Sequence, residues 1–568
     1  MKPFLLIITC LLAMAGISQE RYSVVITELM ADPSPAVALP ASEWIELKNI
    51  SNVSINLLNW RIADANGQSG PLPNYILQPD SYVIVCSGSA LSAMSTYGPA
   101  IAVTSFPSLD NDGEQLTLKT FNGKIIHHIS YSSAWYKNEL KKEGGWSLEM
   151  IDTQNPCSGE NNWKASTDNS GGTPGKQNAV DAVNTDTDAP QLENAYTIGN
   201  SIIRLVFNEP LDSITAANMT NYVIDNGISI TSAACLLPDF TTVELSTAAP
   251  LVLGSIYNIT INNIKDCTGN TIEPFSKIRT GLPSDITISE LIVNEVLFNP
   301  RTGGYDYVEV YNNSNKIADA TKLYVANRNN TGAISSFLAI SVEPRYILPG
   351  DYVVITENAE VLALNYLVKH PKQVFTVTAL PSFSDDKGHV LLLNGQGAII
   401  DEVPYKEDWH FKLLTNTEGM ALERIDPAAN SSEPTNWHSA ASTAGYGTPT
   451  AINSQHKNAQ VTIATITVSP AVFSPDNDGF DDIARIYYKT LAPGYLANIS
   501  IFDAAGRPVK NLVRNALLGS DGYWNWDGLN DKNQPLPLGT YIVFTEIFNL
   551  QGKKQSFKTA IVLAKKLR

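Results

Sequence analysis

ITELMADPSPAVALPASEWIELKNISNVSINLLNW, from Ile26 to Trp60, joins a short apolar run to a proline-broken loop. A strand-like EWIEL follows, mixing Trp44, Ile45 and Leu47 with carboxylates, and then an Asn/Ser turn. A variant returns as VNEVLFNPRTGGYDYVEVYNNS, Val293 to Ser314, so an internal duplication governs how the rest of the chain is read.

The duplication extends well beyond that stretch. LQPDSYVIVC from Leu77 answers ILPGDYVVIT from Ile347, and SLDNDGEQLTLKTFNGKIIHHISYS from Ser108 answers SFSDDKGHVLLLNGQGAIIDEVPYK from Ser382. WSLEMIDTQNPCSGENNWKAS from Trp146 answers MALERIDPAANSSEPTNWHSA from Met420, and GGTPGKQN from Gly171 answers GYGTPTAIN from Gly445. The separation of the equivalent Trp163 and Trp437 leaves room for a whole domain between the copies. At 568 residues the chain is too long for one core. Short alternating segments bounded by Gly, Pro, Asn and Asp recur throughout, and the best helix candidate is short, Glu360 to Val368. The pattern predicts an all-β protein of sandwich modules.

The ITE/VNE start, the WIEL/YVEV strand and the LE-x-ID-then-NW ending resemble the lamin tail domain, which implies a compact immunoglobulin-like sandwich used twice. Copy two departs by offering Leu323-Tyr324 where copy one has Trp60. Between the copies, DTDAPQLENAYTIGNSIIRLVFNEPLD is similar to bacterial immunoglobulin-like modules of surface-layer proteins, with Phe207, Glu209, Pro210, Leu211 and Asp212 at its turn. The last hundred or so residues, with FSPDNDG, IFDAAGRPV, WDG and LPLGTY, resemble the immunoglobulin-like domain of flagellar hook-capping proteins and C-terminal modules of type IX secretion substrates. The expected order is four immunoglobulin-like β-sandwich modules in tandem after a signal peptide: leader 1–18, lamin tail 19–180, bacterial immunoglobulin-like 186–280, lamin tail 286–455 and C-terminal module 461–568.

The leader rests on MKPFLLIITCLLAMAGISQE, an apolar run followed by small residues at signal-peptidase spacing. No other segment approaches bilayer-spanning length. The implied compartment is oxidising, and four cysteines remain beyond the leader. Pairing within modules would join Cys235 with Cys267 and Cys86 with Cys157. A net charge of −17 disfavours nucleic acid, because lysines cluster only in short pairs.

One loop has ligand spacing. Ser474, Asp476, Asp478 and Asp482, with the Phe480 carbonyl, place oxygens at every second position, as a structural Ca²⁺ requires; the competing reading is an Asx-rich turn. Arg485 stands where an EF-hand would need a bidentate Glu. LDNDGE at Leu109 and FSDDKG at Phe383 read as turns entering strands. Glu28, Glu43 and Glu46, with Glu295, Asp306 and Glu309, invite an acid/base proposal, against which solvated strand edges are the expectation. No HExxH or GxSxG motif occurs. GGTPGKQN departs from a phosphate loop at Ser170 and Gln177 and reads as a turn. Trp44, Trp60, Trp146 and Trp163 read as anchors of the first sandwich, with a carbohydrate platform as their alternative.

These readings imply a non-enzymatic exported protein of the bacterial cell surface or exterior, structural or adhesive, with a protein or polysaccharide partner and no cofactor beyond Ca²⁺. The alternative is a polysaccharide- or nucleic-acid-binding accessory to a secreted hydrolase.

Overall fold

β-branched and aromatic residues in alternating runs favour strands, and each run here is too short to bury itself alone. In the computed structural model, which describes residues 20–457 and 463–565, these runs pair into antiparallel sheets. The expected leader and the module start at residue 461 lie outside the described residues. The chain forms two units, one of residues up to 194 with 201–250 and 258–279, the other of 195–200, 251–257 and the chain from 280. Both are built from immunoglobulin-like β-sandwich modules.

In the first unit, β1 (Val24–Met30), β2 (Trp44–Asn49), β3 (Tyr82–Ser87), β4 (Ala100–Val103), β5 (Leu148–Met150) and β6 (Trp163–Ala165) form a sheet in the order β6-β5-β1-β2-β3-β4. Only β3 and β4 run parallel. A second sheet of Arg61–Ala63, Gly113–Lys119 and Ile125–Ser132 closes over one face. Trp60, Ile45, Leu47, Leu116, Leu118 and Trp163 are among the residues filling the space between them. The unit also holds strands Ile202–Phe207, Thr242–Thr247 and Ile230–Cys235, whose Ile203, Leu205, Val243 and Leu245 are fully buried.

In the second unit, β7 (Leu291–Leu297), β8 (Tyr307–Asn312), β9 (Tyr352–Thr356), β10 (Val374–Thr376), β11 (Leu422–Arg424) and β12 (Trp437–Ser439) repeat the arrangement as β12-β11-β7-β8-β9-β10, again with one parallel pair, β9 and β10. The duplication therefore holds strand for strand in this sheet, while the opposing sheet of copy two has four strands, adding Ile334–Ala339, where copy one has three. The unit continues into β13 (Thr465–Ser469), β14 (Ala484–Lys489) and β15 (Asp521–Trp526), a three-stranded sheet with β14 in the middle. Ile486 and Trp526 from its inner face pack with Ile499, Ile501, Val543 and Ile561 of a five-stranded sheet. The helix expected over 360–368 spans Ala359–Asn365, with the Asn358 side chain accepting from the Val361 N–H as its N-cap. Among the described residues, no helix is long and apolar enough to cross a membrane.

One irregularity decides which side chains face which layer. β1 carries a bulge between Ile26 and Glu28, and β7 carries one between Val293 and Glu295. A bulge inserts one residue and shifts the alternation that follows. Val24, Ile26 and then Leu29 thus face the sandwich core, while Glu28 turns to the opposite face. The Ile26 N–H at the bulge donates to Nδ1 of His127, and the Val293 N–H donates to Asp401. Different side chains satisfy the same freed donor in the two copies.

Candidate functional site

On the face turned away from the core, Glu28 lies opposite both Glu46 of β2 and Glu149 of β5. All three are fully buried. Their cover is the GGTPGKQN segment expected to be a simple turn. Thr173 donates from its backbone N–H to Glu28 Oε1 at 2.7 Å, and its hydroxyl lies 3.2 Å from Glu28 Oε2 and 2.9 Å from Glu149 Oε1. The Gly175 N–H donates to Glu46 and the Val180 N–H to Glu149. Ser147 donates to Glu28 and Thr27 to Glu46. Asn178 pins the cover by donating to the carbonyls of Thr27 and Met150. Gly172 permits the close approach, since a Cβ there would sit 2.8 Å from Glu28 Oε1 and 2.8 Å from Ser147 Oγ.

The second copy repeats this with Glu295, Glu309 and Glu423, again fully buried on adjacent strands. Thr448 donates from its backbone to Glu295, Thr450 to Glu309 and Gln455 to Glu423. Asn453 donates to the carbonyls of Asn294 and Arg424, as Asn178 does in copy one. The extra donors are the Tyr307 hydroxyl to Glu295, the Asn294 amide to Glu309 and the Ser454 hydroxyl to Glu423. Burial raises Glu46 and Glu423 to about 8 and holds Glu28 and Glu309 well above the carboxylate range; charge from neighbouring glutamates adds to the shift.

The expectation of solvated strand edges is thereby corrected for Glu28, Glu46, Glu295 and Glu309. Each carboxyl oxygen of both trios lies within hydrogen-bond distance of a polar partner, and no solvent-facing surface remains for a substrate. Such a site clasps a sheet to its C-terminal cover rather than transferring protons to a ligand. Glu43 and Asp306 stand apart, partly buried; Glu43 accepts from the Leu109 N–H, and burial raises Asp306 to about 7. The trios do have a sequence signal: the glutamates and the Gly-Thr-Pro segment recur at matching positions in both copies.

The cysteine pairing is also corrected. Cys157 bonds Cys267, while Cys86 and Cys235 are free. Cys86 is locked inside β3 opposite Trp44, and Cys235 ends an edge strand beside Phe240, so neither thiol meets its expected partner. Cys157 and Cys267 both occupy loops and approach to a Cα separation of 6.4 Å, within bridging range. Trp44, Trp60 and Trp163 are buried anchors, which removes them as a carbohydrate platform.

In the acidic loop, Asp476, Asp478 and Asp482 bring carboxylate oxygens within 4.8 Å of one another. Asp482 also accepts backbone N–H bonds from Asp476, Asn477 and Gly479, the pattern of an Asx-rich turn. Ser474 closes the loop through its N–H to the Asp481 carbonyl, and the Phe480 N–H donates to Asp478. A second group unforeseen from the sequence, Asp186, Glu209 and Asp266, also brings its oxygens within 4.8 Å. Burial there, with the charges of Asp266, Asp186 and Asp188, raises Glu209 to about 8.

Residues 18–133 match the lamin tail domain family. No curated protein matches the chain. Among solved structures, the chain is similar to the N-terminal part of the bacterial S-layer protein SbsC at 19% identity and TM-score 0.16, over 29% of this chain and 39% of that one. It is also similar to PorZ, a surface component of the type IX secretion system of Porphyromonas gingivalis, at 9% identity and TM-score 0.18, over 96% of this chain and 100% of that one. A tandem repeat from the extending region of a large adhesion protein aligns at 11% identity and TM-score 0.13, over 96% of this chain and 100% of that one.

Proposed function

We propose that the chain is a non-enzymatic, exported structural or adhesive protein of the bacterial surface, built from four β-sandwich modules. The observation that supports this most directly is the sealing of both carboxylate trios. The acidic groups closest to a catalytic constellation act as internal fasteners. The loop after the first strand meanwhile differs freely, from SPAVALPAS in copy one to RTGG in copy two. A stiff repeated scaffold with variable loops suits binding spread over a surface. Ca²⁺ held by Ser474, Asp476, Asp478, Asp482 and the Phe480 carbonyl would add rigidity to the last module, and the oxygen-only donor set is of the type this ion takes. Brief protease treatment of intact cells, followed by blotting, tests the location: loss of the protein supports surface exposure, and full protection overturns it.

A further inference from the structure

The outer face of the three-stranded sheet β13-β14-β15 carries a regular array that no fold requirement explains. Its central row is Thr467, Tyr487 and Tyr523, aligned across the three strands. The tyrosines are 37% and 49% exposed, with ring centroids 5.6 Å apart. One flanking row is Ser469, Arg485 and Asn525, and the other is Thr465, Lys489 and Asp521. Strand alternation sends all of these outward while Ile486, Tyr488 and Trp526 point into the core. The Arg485 guanidinium lies 5.6 Å from the Tyr523 ring, steadying that aromatic surface. A shallow groove of about 250 Å³ runs over the face between Thr467, Tyr487, Lys489, Asp521 and Tyr523.

The chemistry of the face selects among ligands. Within the three strands it presents aromatic rings ringed by short hydroxyl, amide and charged groups; exposed Ile463, Ile483 and Leu491 lie beyond the strand ends, so the groove itself lacks the apolar anchor pocket of a protein interface. Its charges are two cations and one carboxylate, close to balance, on a chain whose net charge is −17. A polyanion would be repelled by the chain as a whole, and a polycation would be drawn elsewhere on it. A neutral, hydroxyl-rich chain meets neither obstacle. Its sugar rings can stack their C–H faces on Tyr487 and Tyr523, while Asp521, Asn525 and Arg485 exchange hydrogen bonds with ring hydroxyls. From Arg485 to Lys489 the strand spans about 13 Å, the scale of an oligosaccharide rather than a single sugar.

We propose that this face binds a neutral polysaccharide, an assignment that names the partner class of the surface protein inferred above and rests on that reading only for its biological setting. The test is affinity gel electrophoresis of the purified full-length protein in gels containing mixed-linkage β-glucan, galactomannan, xylan or dextran, with polygalacturonate as the charged comparator. At least one neutral polymer is expected to retard the protein, equally at low and high salt because stacking is not screened. Y487A/Y523A is expected to weaken that binding about tenfold or more with an unchanged melting curve, as both side chains point outward. T467R provides a second variant, setting a bulky side chain over the groove from an exposed edge position. Retardation by none of the neutral polymers, retention that only polygalacturonate produces, or binding indifferent to both variants would overturn the proposal. Because purified protein is used, failure here leaves the cell-surface assignment to be judged by the protease experiment alone.

Discussion

The hydroxyl of Thr448 lies 2.9 Å from Oε1 of Glu423. The same oxygen is 2.8 Å from Oε2 of Glu295, and Thr173 stands in the same relation to Glu149 and Glu28. A threonine hydroxyl has one hydrogen to give, so only one of its two carboxyl neighbours can receive it. The other contact is a hydrogen bond only if that carboxyl is protonated and donates back. A proton held in each trio would satisfy the second contact, in the direction of the upward shifts that burial imposes on Glu46 and Glu423.

The pH dependence of stability follows. An unfolded glutamate titrates near 4.3, whereas Glu46 and Glu423 titrate at about 8 in the folded chain. The folded state therefore holds protons that the unfolded state has released. This contribution is fully present below about 4.3 and is lost as pH rises through about 8. The urea midpoint is expected to fall between pH 5 and pH 9, and E423Q should flatten that decline for the unit that contains it.

Removing the bridging hydroxyl leaves the carboxyls without their shared partner. T448V is expected to cost about 1–3 kcal/mol, the range for an unsatisfied buried polar group. Chemical denaturation measures it, and T173V should behave alike in the first unit.

Gly172 tests the tightness of the cover. A methyl group would sit 2.8 Å from Glu28 Oε1 and 2.9 Å from Leu39 Cδ1, too close without a shift of the segment. G172A is expected to destabilise by about 1–3 kcal/mol, and hydrogen exchange should show the loss of protection first at the Thr173 and Gly175 amides.

The Cys157–Cys267 bridge closes a sequence separation of 110 residues. Non-reducing proteolysis with mass spectrometry should recover one cross-linked peptide joining these residues. C157S/C267S is expected to lower stability by about 2–5 kcal/mol. Cys86, fully buried, should resist alkylation until the chain unfolds.

For the loop at 474–482, Ca²⁺ binding would raise the melting temperature of the wild-type protein and leave D476N/D478N unmoved. An unchanged wild-type melt at millimolar Ca²⁺ would assign the loop wholly to the turn that Asp482 already caps.

The sandwich architecture was readable because strands announce themselves locally. EWIEL and YVEV are short runs rich in aromatic and branched apolar residues, their flanking turns carry Gly, Pro and Asn, and a sequence repeat needs no coordinates to be seen. The buried glutamates were read as solvated edges because Glu43 and Glu46 fall on opposite faces of one strand, and nothing local shows that a later segment covers the outer face. Nor does a GTPG segment announce that its amides will lie over carboxylates more than a hundred residues earlier.

By itself, then, the sequence determined the strands, their two-fold reuse and the all-β class, since these depend on neighbours within a few residues. Tertiary structure alone decided that Cys157 meets Cys267, that six glutamates are sealed rather than solvated, and that Tyr487 and Tyr523 stand side by side on an open face. Those outcomes depend on how distant segments come together, and the faces of Glu28 and Glu295 on a single inserted residue as well. Such relationships join distant parts of the chain and leave no mark in the local pattern of either part.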